Sequence, residues 1–181
     1  MKKIRVIALL VAIVLMFAGF ASANSKDFRS VDAPDEFFLG LSLGESREAV
    51  LAKFPQAYES ENPEPGTEGA LFVEEINDDG LRHVYTIGFD DDDKVYTVVD
   101  YYAFKNTGEK YSLSELNRNI GSVFNEFKSK LTSLYGKGTA LGDTGKAYEW
   151  QKDGVAYVLR YSVLNDIERY GCILLYNVKT E

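Results

Sequence analysis

The sequence predicts an α+β domain of two layers, an antiparallel sheet of about six strands with helices on one face, in the order α-βββ-α-βββ. Three observations predict it. Leu113, Leu116, Ile120, Phe124, Phe127, Leu131 and Leu134 recur at steps of three and four, the period of a helix that buries one stripe. Runs rich in β-branched and aromatic residues lie before that helix, within residues 71–104, and after it, within residues 147–178, which is strand patterning. The turn signals Asn77-Asp78-Asp79-Gly80 and Lys152-Asp153-Gly154 join such runs directly, and strands joined by tight turns are antiparallel.

The elements follow in order along the chain. Lys2, Lys3 and Arg5 precede an apolar run from Val6 to Phe20, and Ala21-Ser22-Ala23 follows it. This is a three-part secretory signal with cleavage expected after Ala23. The apolar run is shorter than the roughly 20 residues that span a bilayer. Residues 1–23 therefore read as a signal peptide, 24–36 as a flexible mature N-terminus and 37–181 as a single domain, located in the periplasm or secreted. Ser46 is placed to cap a short helix bearing Glu48 in its first turn, with Val50, Leu51 and Phe54 on one face and Pro55 as the stop. A polar loop over 59–69 leads to strands at 71–76, 81–89 and 95–104, the second with Leu81, His83, Tyr85, Ile87 and Phe89 on one face. Both faces of the third are apolar, which marks a central strand. Ser112 and Glu115 form a capping box for the long helix, and Gly136 is its C-terminal stop. Strands at 147–151, 155–162 and 170–178 complete the chain, so its two halves read as tandem copies of one α-βββ unit.

Composition narrows the function. The chain has 20 basic and 28 acidic residues, a net charge of −8. The leader holds three of the basic residues and none of the acidic ones, so the mature chain carries about −11. Such a surface repels phosphate backbones, and nucleic acid is not an expected partner. Cys172 is the only cysteine, so no intrachain disulfide is available and the domain must be held by its core. Cys172 lies in an apolar strand-like run, where a buried, inert thiol is the expectation.

Catalytic chemistry finds little support. His83 is the only histidine, and its strand neighbours are apolar, so a structural, hydrogen-bonded imidazole is expected. No phosphate-cradling Gly-x-x-x-x-Gly-Lys loop occurs. Asp90, Asp91, Asp92 and Asp93 sit together in an expected hairpin turn. They are the candidate cation ligands, although their spacing departs from the alternating-aspartate calcium loop. Asp100 and Arg160 interrupt apolar strand faces. Either both are wet on the open sheet face, or they pair across the sheet.

The motif Leu41-Ser42-Leu43-Gly44-Glu45-Ser46-Arg47-Glu48-Ala49-Val50 resembles the helix start of small bacterial envelope domains, the SmpA/OmlA-type lipoproteins and the β-lactamase-inhibitor proteins. The stretch from Phe127 to Tyr135-Gly136-Lys137-Gly138, then Trp150 and Val155 to Tyr161, is similar to secreted bacterial domains of unknown function. The chain departs from the lipoprotein pattern in lacking a lipidated cysteine, and from the inhibitor pattern in lacking the cysteine pairs of each repeat. The resemblance implies helices against one face of an antiparallel sheet, in a fold that commonly binds other proteins.

The aromatic surplus supplies the binding expectation. A two-layer domain leaves one sheet face without helices, and Tyr96, Tyr102, Tyr148, Trp150, Tyr157 and Tyr161 all fall on strands. Rings with a polar tip suit recognition surfaces. The expectation is a non-enzymatic interaction module of the bacterial envelope or medium, without a cofactor, binding another envelope or secreted protein through these rings. The alternative is a protein that binds a small molecule, a glycan or Ca²⁺.

Overall fold

The computed structural model describes residues 34–63, 65–76, 82–105, 113–164 and 170–180. The expected signal peptide, the Asn77–Gly80 turn and the capping residue Ser112 lie outside the described residues, and so does the side chain of Cys172. Pro34–Phe38 forms a turn of 3₁₀ helix. Two α-helices follow, α1 (Arg47–Lys53) and α2 (Leu113–Tyr135). The strands are β1 (Leu71–Ile76), β2 (Arg82–Phe89), β3 (Val95–Lys105), β4 (Thr139–Ala140), β5 (Ala147–Lys152), β6 (Val155–Leu164) and β7 (Tyr170–Lys179).

Local chemistry accounts for these bounds. Ser46 caps α1, its hydroxyl accepting from the Ala49 amide at 3.3 Å. Gly136 ends α2 in a left-handed conformation (φ 84°) and returns its amide to the Thr132 carbonyl at 2.9 Å. Helix α2 runs unbroken through Gly121.

The seven strands form one antiparallel sheet in the order β1-β2-β3-β7-β6-β5-β4. The two-residue strand β4 was not among the sequence expectations. It pairs Thr139 and Ala140 with Glu149 and Tyr148. Strands β3 and β7 sit at the centre, paired from Thr97–Val178 to Lys105–Tyr170, so each three-strand group meets the other through its last strand.

Alternation sends two apolar sets to opposite faces. One face carries Leu71, Val73, Tyr85, Ile87, Val98, Tyr102, Trp150, Leu159, Ile173 and Leu175, and it joins Ile120, Phe124, Phe127 and Leu131 of α2, Val50 of α1, and Phe37 and Phe38 in one core. The other face gathers Phe72, Val84, Val99, Tyr101, Val158 and Tyr176, with Leu141, Leu174 and Val178 beside them. No helix residue belongs to that second cluster.

Arg47 ties the first half together. Its guanidinium donates to Asp93 Oδ1 (3.1 Å), Glu59 Oε1 (3.0 Å) and the Gly69 carbonyl (2.6 Å), and it lies 4.1 Å from the Phe89 ring centre. One side chain thus joins the start of α1, two loops and the β2–β3 turn. Arg47→Ala should cost about 1–2 kcal/mol, since these contacts are partly solvated. Arg47→Lys should recover little, because an ammonium lacks the planar fork. Thermal melts of the two variants check this, and a lysine variant as stable as the parent would contradict it.

Candidate functional site

The polar centre of the molecule sits beneath α2. His83 on β2 and Asp100 on β3 point to the helix-covered face, 0% and 1% exposed. The register pairs Tyr85 with Asp100 and His83 with Tyr102, so His83 and Asp100 are diagonal neighbours on one face. His83 Nδ1 lies 3.1 Å from Asp100 Oδ1 and 3.4 Å from Oδ2, and the carboxylate also takes a hydrogen bond from Tyr85. Aromatic rings enclose the pair. Tyr85 stacks on the imidazole at 5.8 Å, Tyr102 meets it edge-on at 3.6 Å, and Phe127 of α2 closes over Tyr102 at 4.9 Å.

Burial holds the Asp100 carboxyl above the usual carboxylate range, while the charge and hydrogen bond of His83 and the bond from Tyr85 pull the other way. A dyad sealed this completely has no path to a substrate, so its geometry serves the core. The expectation of a structural histidine agrees with this placement. The expectation that Asp100 is wet, or paired with Arg160, is corrected: Arg160 is exposed on β6, and Asp100 takes His83 as its partner.

The six expected binding rings do not line an open face. Trp150 and Tyr102 are each only 2% exposed and belong to the helix-side core. Trp150 donates its indole N–H to the Gly136 carbonyl at 2.9 Å, and its ring lies so close to Gly138 that an added methyl would fall 2.5 Å from it. Tyr148, Tyr157 and Tyr161 are half-buried against the same core. Tyr157 stacks on Tyr135 at 4.2 Å, and Tyr161 meets Phe124 at 4.8 Å. Lys128 of α2 covers the Tyr148 ring at 3.5 Å, and Lys146 lies 5.1 Å from that of Tyr161. Tyr96 is half-buried, its ring lying over Gly88. The physical reason is parity. Tyr102, Tyr148, Trp150, Tyr157 and Tyr161 alternate in phase with the residues that α2 covers, so they serve as its seat, whereas Tyr96 falls at the register shift opposite Gly88 and Phe89 and lies outside that core.

The acidic turn is also put to structural use. Asp90 Oδ1 accepts from the Asp92 and Lys94 amides at 3.0 and 2.9 Å, which closes the turn. Asp93 adopts φ 56° and takes Arg47. Among the described residues no group of three or more His, Cys, Asp or Glu side chains is arranged to hold a metal ion, and of Asp90, Asp91, Asp92 and Asp93 the first closes the turn and the last pairs with Arg47. Millimolar Ca²⁺ should therefore leave the melting temperature unchanged. A rise would mean that the folded form binds it.

What sequence reasoning missed is the second sheet face. Its apolar set crosses five adjacent strands, from Phe72 on β1 through Val84, Val99 and Tyr101, and Tyr176 to Val158 on β6. The signal was present in the doubly apolar runs of β3 and β7. At its margins Tyr58 stacks on Phe72 at 5.7 Å and donates to Glu74 at 2.8 Å. At its middle Thr86 Oγ1 is buried with no hydrogen-bond partner. Burial also raises the Tyr176 hydroxyl above its ordinary range, with Arg160 opposing that shift.

No family model matches the chain, and no curated protein or solved structure matches it. Among the described residues no helix is long and apolar enough to cross a membrane.

Proposed function

We propose that the chain is an exported, non-enzymatic interaction domain of the bacterial envelope or medium, and that it binds a protein partner through the sheet face opposite the helices. The observation that carries this reading is the second apolar cluster, which runs across five strands and contains no helix residue. A two-layer domain whose far face met only water would alternate apolar with polar residues. Here Val99, Tyr101, Val158 and Tyr176 stand where polar residues would be expected and are themselves buried, so the partner meets the half-buried apolar margin of the cluster, Leu141, Leu174 and Val178. The sealing of His83, the sole imidazole, supports a role without catalysis.

The chemistry of the partner follows from the same residues. It presents an apolar segment to Leu141, Leu174 and Val178 at the margin of the cluster. The arrangement as tandem α-βββ copies, with β3 against β7 at the joint, belongs to this reading, as does the kinship with envelope domains of similar layout.

Leu174→Lys and Val178→Lys test it, since both residues are half-buried at the margin of the face. The exported form, crosslinked in the envelope of the producing cell, should lose its partner in both variants and keep it in Ser129→Glu, on the exposed side of α2. Unchanged capture in the two lysine variants, with far-ultraviolet circular dichroism preserved, would reject the face as the binding site.

A further inference from the structure

The chain is acidic overall, with 28 acidic and 20 basic residues, yet one corner of it presents two ammoniums. Lys128 of α2 lies 3.5 Å over the Tyr148 ring of β5, and Lys146, directly before β5, lies 5.1 Å from the Tyr161 ring of β6. We propose that these four side chains bind an acidic oligosaccharide, a chain of sugars in which successive units carry carboxylates. The site lies on the helix side of the sheet, away from the margin assigned to a protein partner, so the inference stands apart from that reading.

The first support is that the groups are held in place. Tyr148 and Tyr161 both pack against Phe124, at 6.2 and 4.8 Å, which fixes the two rings to α2. Phe124 and Lys128 stand one turn apart on that helix, on the same side. The Tyr161 amide donates to the Lys146 carbonyl at 3.0 Å, which keeps Lys146 beside its ring. A ring attracts an ammonium to its face, and an ammonium has three N–H donors, so those turned away from the ring remain for a ligand. Groups ordered in advance lose less freedom on binding. The second support is that their polar atoms are free. Among the described residues neither lysine forms an ion pair, and neither the Tyr148 nor the Tyr161 hydroxyl has a hydrogen-bond partner. Lys146 is exposed and the other three are half-buried, so a ligand can reach all four.

The mixture of groups selects the ligand class. Carboxylates form charge-assisted hydrogen bonds with the ammoniums. Sugar hydroxyls pair with the phenol hydroxyls, and the C–H faces of a sugar ring lie against the accessible parts of the tyrosine rings. An inorganic anion would engage the ammoniums and leave the phenols unused. A neutral sugar would do the reverse. A nucleic acid, with a charge at every phosphate, is repelled by the net charge of −8. The two ammoniums sit on different rings, so a ligand charged on more than one unit engages both, and its second contact forms within the complex. Each pair is weak by itself and screened by salt.

The test titrates the full chain at low ionic strength with trigalacturonate, maltotriose and sodium sulfate, read by calorimetry. Trigalacturonate should bind, sulfate about tenfold more weakly or worse, and maltotriose not measurably. Lys128→Gln/Lys146→Gln should weaken trigalacturonate binding about tenfold. Tyr148→Phe/Tyr161→Phe keeps the rings, removes only the hydroxyls and should weaken it several-fold with the melting temperature unchanged, which keeps the proposal open to refutation if the lysine pair fails to fold. Lys152→Gln/Lys179→Gln removes the same charge at exposed positions at the other end of the β5–β6 hairpin and its neighbour β7, and should leave binding intact. An equal loss in that control would overturn the site in favour of overall charge. Sulfate binding as tight as trigalacturonate would overturn it in favour of a simple anion site. Equal binding of maltotriose, or no binding of trigalacturonate, would overturn it outright. Partner capture by the lysine variants is scored separately and should be unchanged, so either reading can fail while the other stands.

Discussion

Asp100→Ala is expected to destabilise the domain by about 3–5 kcal/mol, because it leaves His83 buried without its partner. A loss of this size is a large part of the 5–15 kcal/mol that holds a typical domain, so the urea midpoint should fall steeply or the protein should not fold at all. The reciprocal His83→Ala variant strands the carboxylate and should behave alike. Replacing both residues with apolar side chains of similar volume should recover most of the loss, since desolvation then falls away together with the pairing. A cost below about 1 kcal/mol for Asp100→Ala would mean that the pair contributes nothing.

The same carboxyl predicts a pH dependence whose sign is fixed. Burial raises the Asp100 pKa in the folded state, so the native form holds this proton more tightly than the unfolded chain does. Its contribution to stability is therefore complete below the ordinary carboxylate range and is lost as pH rises toward the raised value. Asp100→Asn lacks this titration. The stability of the parent relative to Asp100→Asn should decline as pH rises from about 4. The groups facing the carboxyl are His83 and Tyr85, with Tyr102 and Phe127 closing the site. Urea melts at several pH values between acid and neutral check this, and a relative stability that climbs with pH would refute it.

Trp150→Ala should be the most damaging change among the aromatic residues, at about 3–5 kcal/mol. The indole is sealed in the helix-side core and its N–H is spent on the last turn of α2. Because it is the only tryptophan, fluorescence reads it directly. Native emission should lie at the blue end of the tryptophan range and resist acrylamide, turning red only on unfolding. Gly138→Ala, which pushes a methyl into the ring, should lower stability by about 1–3 kcal/mol. If Trp150 were instead a contact on a bare face, the alanine variant would fold normally and lose only its partner. Stability and capture measured on one variant separate these outcomes.

Much of the architecture was legible in the sequence because periodicity is local. The 3,4 spacing from Leu113 to Leu134 dictates α2, the Ser46 cap and Pro55 bracket α1, and turn residues separate strands whose observed bounds differ from expectation by one or two residues. Strand β4 was not legible, because two residues, Thr139 and Ala140, make no pattern. Which rings face which layer could not be read either. Strands β3 and β7 are apolar on both sides, and a period of two says which residues share a face without saying what covers it.

The sequence by itself determined the kind and place of the longer elements, the acidic charge, the lack of an intrachain disulfide and the single imidazole. Only the tertiary structure decided that His83 lies diagonal to Asp100, that Tyr102 and Trp150 belong under the helix, and that the apolar set around Tyr101 crosses five strands on the other side. These are matters of register and layering. They depend on contacts between residues far apart in the chain, and no local pattern encodes such contacts.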